Sequence, residues 1–312
     1  GFYQSKPTAA AGRIFVGGPD RFVRAVDADS GRLAWRFELG AAVSAAPAVA
    51  DGRVFVGQQG SEDAFYGLDA ESGLPLWRQR LGWVWSSANV ADGRVFVPGV
   101  DGYVSCLDAA SGHILWRRRT GHACHPEPPI ESGRVFFGSW DHFVYAFDTA
   151  SGQCLWRFHT GGTPDSGAAI AHGGRLYVPM GGTRMVCLDA ADGRLVWEYR
   201  LPHGCMNGSP ALDRGRLYVS TSVRPGSIPV ASMVRCLDAA DGREMWRHAG
   251  GGITAPAVAA GRIYTASTSD NFFRCIEPGA DAPRELWRIP MGERVYESVP
   301  AIHRGRAFIL SE

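Results

Sequence analysis

Apolar and polar residues alternate in short segments that recur along the whole chain. In residues 53–57, Arg-Val-Phe-Val-Gly, β-branched and aromatic side chains alternate with each other, as expected of a strand. The Asp-Gly pair before this segment is typical of a hairpin turn. Residues 103–109 and 114–121 predict two further strands of such a unit. We therefore expect four short antiparallel strands, A to D, in each unit, and no segment has the period of a helix.

The motif Asp-x-x-x-Gly-x-x-x-Trp repeats about every 41 residues, the spacing of an array of supersecondary units. Six regular copies and a degenerate seventh, in which Glu277 replaces the Asp, carry Trp35, Trp77, Trp116, Trp156, Trp197, Trp246 and Trp287. A single four-stranded sheet cannot bury both of its faces, so the copies are expected to pack against each other around an axis. The sequence therefore predicts an all-β protein, a β-propeller of four-stranded antiparallel blades.

Strands A and B of an eighth unit follow the seven complete ones, because residues 295–310 match residues 2–17 of the first unit. Both segments begin with an A strand, so they cannot occupy the same position. This predicts eight blades with an incomplete last blade, which a missing segment or another chain would complete. We expect a single propeller domain over residues 1–312. Since the chain lacks an initiator Met, we also expect it to be part of a larger protein, with a fused domain or a protein partner.

Charge and hydropathy exclude two classes of partner. Lysine and arginine number 32 against 31 acidic residues, and a formal net charge of +1 gives no general attraction for nucleic acid. No run of 18 apolar residues occurs, so no membrane-spanning helix is predicted.

The fuller sequence Ala-x-Asp-x-x-x-Gly-x-x-x-Trp resembles the tryptophan-docking motif of the pyrroloquinoline quinone (PQQ)-type repeat, and the resemblance covers essentially the whole chain. That family includes quinoprotein alcohol dehydrogenases, a non-catalytic branch similar to the outer-membrane assembly lipoprotein BamB, and many bacterial propellers. The resemblance implies that each motif tryptophan docks against the neighbouring blade. We interpret the motif aspartates as caps of the turn that follows them.

The resemblance also implies what a dehydrogenase of this family would need. Such an enzyme carries a Cys-Cys pair over the quinone, calcium held by Glu, Asn and Asp, and an Asp base, but this chain has no Cys-Cys dipeptide. The candidate oxygen ligands on the expected ligand face are Asp165, Asn207 and Glu297. We therefore predict a non-enzymatic protein. A PQQ-dependent oxidoreductase of reduced size, with PQQ and calcium as cofactors, is the alternative.

Four of the seven cysteines precede the motif acid by two residues, where other units have Ala or Gly: Cys106, Cys187, Cys236 and Cys275. This pattern indicates small packing residues, and Cys154 is expected to pack as well. An odd count in repeated positions does not fit a disulfide framework, which favours the cytoplasm. The periplasm is the alternative that the family resemblance suggests.

Two further cysteines, Cys124 and Cys205, lie in loops between units. His122, Cys124 and His125 could hold zinc or copper, with His203 and Cys205 from two blades away, although the spacing is looser than in known zinc motifs. The alternative is a set of polar loop residues around a channel mouth.

The loops that join strand D to strand A and strand B to strand C are expected on one face of a propeller. The tryptophans outside the motif, Trp83, Trp85 and Trp140, fall in these loops in adjacent blades, and so do His122 and His125. A long insertion, residues 220–233, and the oxygen ligands named above belong to the same face. Exposed aromatic side chains are enriched where proteins bind partners. We predict a scaffold or recognition domain that binds protein through this face, the alternative being that the tryptophans fill the funnel between blades.

Overall fold

The computed structural model describes residues 6–60, 64–125, 127–164, 167–180, 182–201, 204–223, 231–250, 254–267, 270–292 and 299–309. Within these ranges the secondary structure consists of β-strands and turns, with no α-helix. No helix that could cross a membrane is therefore found in the described part of the chain. The chain forms two compact units, Gly1–Thr163 with His303–Gly305 and Pro164–Ile302 with Arg306–Glu312.

The first unit contains four antiparallel sheets, which we call blades 1 to 4. Their strands are β1 (Thr8–Ala10), β2 (Arg13–Gly17), β3 (Phe22–Asp27), β4 (Leu33–Glu38), β5 (Ala48–Ala50), β6 (Arg53–Gly57), β7 (Ala64–Asp69), β8 (Pro75–Arg80), β9 (Asn89–Ala91), β10 (Arg94–Pro98), β11 (Tyr103–Asp108), β12 (Ile114–Arg119), β13 (Ile130–Glu131), β14 (Arg134–Ser139), β15 (Phe143–Asp148) and β16 (Cys154–His159). Each blade takes four consecutive strands, paired in chain order.

The second unit contains blades 5 to 7, built in the same way. Their strands are β17 (Ile170–His172), β18 (Arg175–Met180), β19 (Arg184–Asp189), β20 (Leu195–Arg200), β21 (Cys205–Asp213), β22 (Arg216–Val223), β23 (Ala231–Asp238), β24 (Glu244–Ala249), β25 (Ala257–Ala259), β26 (Arg262–Ser267), β27 (Phe272–Glu277) and β28 (Arg284–Pro290). Strands β29 (Ala301–His303) and β30 (Arg306–Phe308) follow them in the chain and form a two-stranded sheet.

The fold is thus the predicted all-β propeller of four-stranded antiparallel blades, but the predicted number of blades is wrong. Seven four-stranded blades are described, not eight. The physical reason is that β29 and β30 supply only an A and a B strand. Without strands C and D they lack the tryptophan-bearing strand and the turn that dock one blade on another.

A β-bulge beside each motif tryptophan explains the small residue that precedes the motif acid. In blade 3, Cys106 pairs with Trp116, and the register then shifts so that Leu107 pairs with Ile114. The same shift occurs in all seven blades. A Cβ atom added at Gly67, the equivalent position in blade 2, would overlap the Trp77 indole. The position therefore admits only a small side chain.

The four cysteines at this bulge position, Cys106, Cys187, Cys236 and Cys275, are buried as predicted. The expectation for Cys154 is wrong, because its side chain is exposed at the start of outer strand β16. All seven cysteines lie among the described residues, and none forms a disulfide.

Motif tryptophans link successive blades. Four of them donate the Nε1 hydrogen to the backbone carbonyl that follows the motif Asp of the next blade, at 3.0 to 3.1 Å: Trp35 to Ala70, Trp77 to Ala109, Trp116 to Thr149 and Trp197 to Ala239. The motif glycine of the next blade lies against the same indole, at Gly73, Gly112, Gly152 and Gly242. A large ring is buried with its N–H satisfied, so these contacts contribute both packing and a hydrogen bond.

The motif aspartates cap the turns that receive these tryptophans. Asp108 Oδ1 accepts hydrogen bonds from the backbone N–H of Ser111, at 2.8 Å, and from the Ser111 hydroxyl, at 2.6 Å. The hydroxyl bond, followed by the backbone bond, holds the pKa of Asp108 below its ordinary value. Equivalent bonds are made by Asp27, Asp69 and Asp148.

The last two motif tryptophans depart from this pattern. Trp246 is buried, but its Nε1 has no hydrogen-bond partner within the described ranges. Its neighbour, blade 7, carries the degenerate motif, and the carbonyl of Gly279 in that blade accepts from Arg216 instead. Trp287, in blade 7, is 38% exposed, and Ile289 on the same strand is 54% exposed.

Candidate functional site

The structure brings five of the predicted site residues together in one group of rings, which we call the aromatic cluster: Trp83, Trp85, His122, His125 and Trp140. Trp83 and Trp85 lie in the loop between β8 and β9, and the histidines lie in the loop between β12 and β13. Trp140 lies in the loop between β14 and β15. These loops belong to blades 2 to 4, which are consecutive blades of the first unit.

Each ring of the cluster contacts the next. The Trp83 and Trp85 rings meet edge to face, with centroids 5.3 Å apart, and Trp85 meets His125 in the same way at 5.9 Å. Trp140 stacks on His125 at 6.1 Å and on His122 at 5.8 Å, with interplanar angles of 24° and 29°. Aromatic pairs in such geometries contribute about 0.5 to 1.5 kcal/mol each beyond the area they bury. The five side chains therefore support each other as one surface.

Backbone hydrogen bonds between the loops hold the cluster in place. The amide of Val100, in the loop between β10 and β11, donates to the Trp83 carbonyl at 2.9 Å. The amide of Cys124 donates to the Gly99 carbonyl at 3.0 Å, and the amide of Trp140 donates to the Ala123 carbonyl at 2.9 Å. Because each loop is tied to a neighbouring blade, the rings are positioned before any partner arrives.

The loop that carries the histidines is fixed by its own side chains as well. The His122 carbonyl accepts from the hydroxyls of Thr120, at 2.7 Å, and Ser139, at 3.0 Å. His122 Nδ1 accepts from the amide of Ala123 at 2.8 Å, which leaves Nε2 of this exposed imidazole directed away from that bond. The cluster thus combines a rigid backbone with an accessible ring.

Exposure differs along the cluster. Trp83 is 43% exposed, whereas Trp85, His125 and Trp140 are half-buried. Trp140 Nε1 is itself buried and has no hydrogen-bond partner among the residues that the structure describes. The part of the cluster that a partner can reach is therefore mainly the Trp83 indole and the His122 imidazole, which are both exposed.

Two carboxylates close to these loops are already engaged. Asp141 Oδ2 accepts from the Gly121 amide and from the Tyr145 hydroxyl, both at 2.6 Å, and Oδ1 accepts from the Phe143 amide at 3.1 Å. Burial, together with the bond to Asp141, raises the pKa of Tyr145 to about 12, so the hydroxyl remains a donor at neutral pH.

The second carboxylate, Asp101, accepts from the Tyr103 amide at 3.1 Å and forms an ion pair with Arg117 at 2.6 Å. The Arg117 guanidinium also donates to the Leu81 carbonyl and lies 4.2 Å from the Tyr103 ring centroid. Asp101 and Asp141 are not among the site residues that the sequence predicts. The available signal was an Asp two residues before the aromatic residue that opens strand C, a pattern that also places Asp20 and Asp270.

The cysteine of the proposed metal set is part of the core. Cys124 is 1% exposed and packs in a cluster with Phe96, Phe137 and Trp116. Burial raises the pKa of its thiol to about 12, although metal binding requires the thiolate. No group of three His, Cys, Asp or Glu side chains among the described residues is arranged to hold a metal ion. His203 lies outside those residues, and Cys205 Sγ lies 3.2 Å from the Ser222 hydroxyl.

The described residues do not include the side chains of the three predicted oxygen ligands. Asp165 and Glu297 lie outside the described residues. Asn207 belongs to β21, where its backbone pairs with Ser220, and its side chain is not described. Half of the long insertion, residues 224–230, also lies outside the described ranges.

Sequence and structure comparisons place this fold among known proteins. The sequence profile of the family described as outer membrane protein assembly factor BamB matches residues 3–82, 67–168, 141–227 and 230–312, which together cover nearly all of the chain. No match to a curated protein sequence was found.

Solved structures with the same fold include a BamB protein and a quinoprotein dehydrogenase, the two kinds of protein that carry the resembling motif. BamB from Moraxella catarrhalis is 16% identical, with a TM-score of 0.79 over 98% of this chain and 93% of that one. Quinohemoprotein alcohol dehydrogenase from Comamonas testosteroni is 14% identical, with a TM-score of 0.75 over 97% of this chain and 69% of that one. The computationally designed Ika8 protein is 12% identical, with a TM-score of 0.76 over 96% and 90%. At these identities the likeness concerns the fold alone.

Proposed function

Because the chain belongs to the family of the outer membrane protein assembly factor BamB, we propose that it is a non-enzymatic propeller that binds a protein partner through the loops of the aromatic cluster. It would act as a scaffold or as a recognition domain in a larger protein. The observation that supports this proposal most is the cluster itself, five ring side chains on loops of three consecutive blades. Tryptophan at the centre of a pre-organised surface is the residue type that most often dominates protein binding.

A photo-crosslinking side chain placed at position 83 tests this proposal. The matched control is position 74, because Leu74 is also apolar and 65% exposed but lies in the turn before β8, at the other end of the blades. In cells of the source organism we expect a discrete protein adduct from position 83 and none from position 74. Equal adducts from both positions, or none from position 83, would contradict the proposal.

The alternative, a PQQ-dependent or metal-dependent oxidoreductase, shares the fold of the quinohemoprotein dehydrogenase. Among the described residues no group of three His, Cys, Asp or Glu side chains is arranged to hold a metal ion, and the candidate ligands Asp165 and Glu297 lie outside those residues. The sequence has no Cys-Cys pair. Addition of PQQ with calcium to the purified protein remains the direct test of this alternative.

We also propose that strands β29 and β30 are completed by two further strands, from another segment or another chain. Trp287, at 38% exposure, is the observation behind this proposal, because the equivalent Trp116 and Trp197 are buried at 5% and 8%. Ala307 and Ile309 already pack against the cluster of Ala266 and Phe273 in blade 7. The two added strands would bring a motif turn against the Trp287 indole, on the outer part of blade 7.

Hydrogen exchange tests this second proposal on the 312-residue chain alone. We expect the amides of Ala307 and Phe308 to exchange much faster than those of Val95 and Val97, which lie in the middle of a complete blade. Equal protection in a monomer would show that the two-stranded sheet is sufficient by itself.

A further inference from the structure

The outer strands of the blades differ in charge. In blades 1, 5, 6 and 7 the outer strand carries a glutamate that pairs with an arginine of the same blade: Glu38, Glu198, Glu244 and Glu285. The outer strands of blades 2 to 4, which are β8, β12 and β16, contain no acidic residue and carry these arginines: Arg78, Arg80, Arg117, Arg118, Arg119 and Arg157. Positive charge is therefore concentrated on the outer strands of three consecutive blades of the first unit.

Blades 3 and 4 leave much of this charge without a carboxylate partner. Arg119 and Arg157 are exposed, and each lies over the aromatic ring that opens strand C of its blade, at 6.0 and 4.8 Å from the ring centroid. Neither side chain forms an ion pair within the described ranges. Arg118 is exposed as well, and its guanidinium donates to backbone carbonyls at 2.8 to 3.0 Å. We call Arg118, Arg119 and Arg157 the basic rim.

The carboxylates in the described loops beside the basic rim do not balance it. Asp101 pairs with Arg117, and Asp141 accepts three hydrogen bonds from uncharged groups. The four arginines of β12 and β16 are thus accompanied by two carboxylates, which leaves an excess of positive charge. Blade 2 repeats the pattern, but residues 61–63 of its loop lie outside the described ranges, so blades 3 and 4 carry the observation.

The basic rim is continuous with the aromatic cluster. Thr120, next to Arg119 in the chain, donates its hydroxyl hydrogen to the His122 carbonyl at 2.7 Å. The Gly121 amide between them donates to Asp141 at 2.6 Å. The short segment that joins exposed Arg119 to exposed His122 is therefore fixed, and a ligand bound at Arg119 lies beside a ring of the cluster.

The backbone at the basic rim offers something that only a polypeptide can use. Strands β12 and β16 are end strands of their sheets, so alternate N–H and C=O groups face outward. An extended peptide can bond to these groups as an added strand, which requires an open edge and no groove. A lipid headgroup has no such ladder of donors and acceptors. The edge therefore favours a protein segment over a membrane surface.

Building on the proposed binding function, we infer that the basic rim and the exposed rings of the aromatic cluster bind an extended acidic segment of a protein partner. Carboxylates match the planar donor pair of a guanidinium, and such charge-assisted hydrogen bonds are stronger than neutral ones. Complementary charge also steers the encounter of the two proteins. The acidic residues would pair with Arg119 and Arg157, while the adjoining side chains contact His122 and Trp83.

Selection from a displayed library of random peptides tests this inference without knowledge of the partner. Peptides retained by the purified 312-residue chain at low salt are sequenced, and we expect Asp and Glu to be enriched. The Arg119→Gln and Arg157→Gln double variant should lose this enrichment. Arg32→Gln, which removes an exposed arginine in the motif turn of blade 1, should keep it. Circular dichroism checks that each variant is folded.

A labelled acidic peptide from this selection gives the magnitude. Arg119→Gln should weaken its binding about threefold to fivefold, because an exposed charge pair contributes modestly. Raising the salt from about 0.05 to 0.5 M should weaken binding about tenfold or more. A peptide with Asn and Gln in place of Asp and Glu should not bind in the same concentration range.

The inference is overturned if the retained peptides are neutral or basic, if no sequence is enriched, or if Arg32→Gln weakens binding as much as Arg119→Gln. Vesicles of phosphatidylcholine and phosphatidylserine provide the other arm. Binding to these vesicles that depends on Arg119, without binding to acidic peptides, would assign the surface to a membrane and refute the inference. In each case the crosslinking test at position 83 still decides the broader proposal that the cluster binds protein.

Discussion

Adding one methyl group where two blades meet, by a Gly→Ala substitution, tests how much blade docking contributes to stability. Gly152 follows the motif Asp of blade 4 with a φ of 68°, and a Cβ atom added there would lie 2.5 Å from Cδ2 of Trp116. Gly31 has the same motif position in blade 1 and a φ of 70°, but no described atom lies within 4 Å of its added Cβ. Gly152→Ala and Gly31→Ala therefore share the backbone cost and differ in the contact with an indole.

The expected magnitudes follow from these two contributions. Forcing alanine into the left-handed region costs about 1 to 2 kcal/mol at either position. Displacing the Trp116 ring, which is 5% exposed and donates to the Thr149 carbonyl, adds about 1 to 3 kcal/mol of overpacking. We expect Gly31→Ala to lower the free energy of unfolding by about 1 to 2 kcal/mol and Gly152→Ala to lower it by about 2 to 5 kcal/mol.

Urea unfolding followed by both tryptophan fluorescence and circular dichroism measures the difference, provided that the two signals change together. A double-mutant cycle with Trp116→Leu assigns it to the indole. In the Trp116→Leu background, Gly152→Ala should cost no more than Gly31→Ala costs in the natural chain. If Gly152→Ala and Gly31→Ala destabilise equally from the start, the docking contact does not contribute what the geometry indicates.

Four further predictions concern the surface, the thiols and the cofactor alternative. Trp83→Ala should lower the free energy of unfolding by about 0.5 to 1.5 kcal/mol through loss of the edge-to-face contact with Trp85, and thermal unfolding with Leu74→Ala as control checks this. Exposed Cys154 should react with a thiol reagent well before buried Cys124, as mass spectrometry of timed samples would show. Because the folded-state pKa of Cys124 is raised from 9.0 to about 12, its contribution to stability is complete below pH 9 and is lost as pH rises toward 12. Cys124→Ala should therefore flatten the alkaline loss of stability, and an unchanged pH profile would contradict this. PQQ with calcium should produce neither an absorbance change nor dye reduction, and either signal would favour the oxidoreductase.

Much of the fold could be predicted because the repeat appears seven times in one sequence. The bulge position was recognised as small from Cys106, Cys187, Cys236 and Cys275, although the reason, direct pairing with the motif tryptophan, is visible only in the strand register. The blade count was wrong because matching A and B strands to another unit does not provide strands C and D. Cys154 was wrongly predicted to be packed. It opens an outer strand, and there neither the pattern of neighbouring residues nor the repeat spacing distinguishes a packed side chain from an exposed one.

The candidate site could be predicted only as a set of positions. Loop topology placed Trp83, Trp85 and Trp140 at one end of adjacent blades, but their ring contacts depend on side-chain directions that spacing does not determine. The engagement of Asp101 and Asp141 was missed for a similar reason. Arg117 lies on β12, which pairs with the strand that follows Asp101, and Tyr145 lies on the strand that directly follows Asp141, so both contacts depend on side-chain directions in the folded sheets.

The two ends of each blade experience different constraints, and this difference explains why the aromatic cluster lies where it does. At the end with the motif turn, one Asp and one Gly cap their own turn and also receive the tryptophan of the preceding blade, so these two positions are tightly constrained. At the other end, the loops that carry the cluster are joined mainly by backbone bonds, from Val100 to Trp83 and from Cys124 to Gly99. Backbone amides and carbonyls form such bonds whatever the side chains are. The side chains at that end can therefore change without loss of blade docking, and a cluster of five rings can be assembled there for binding.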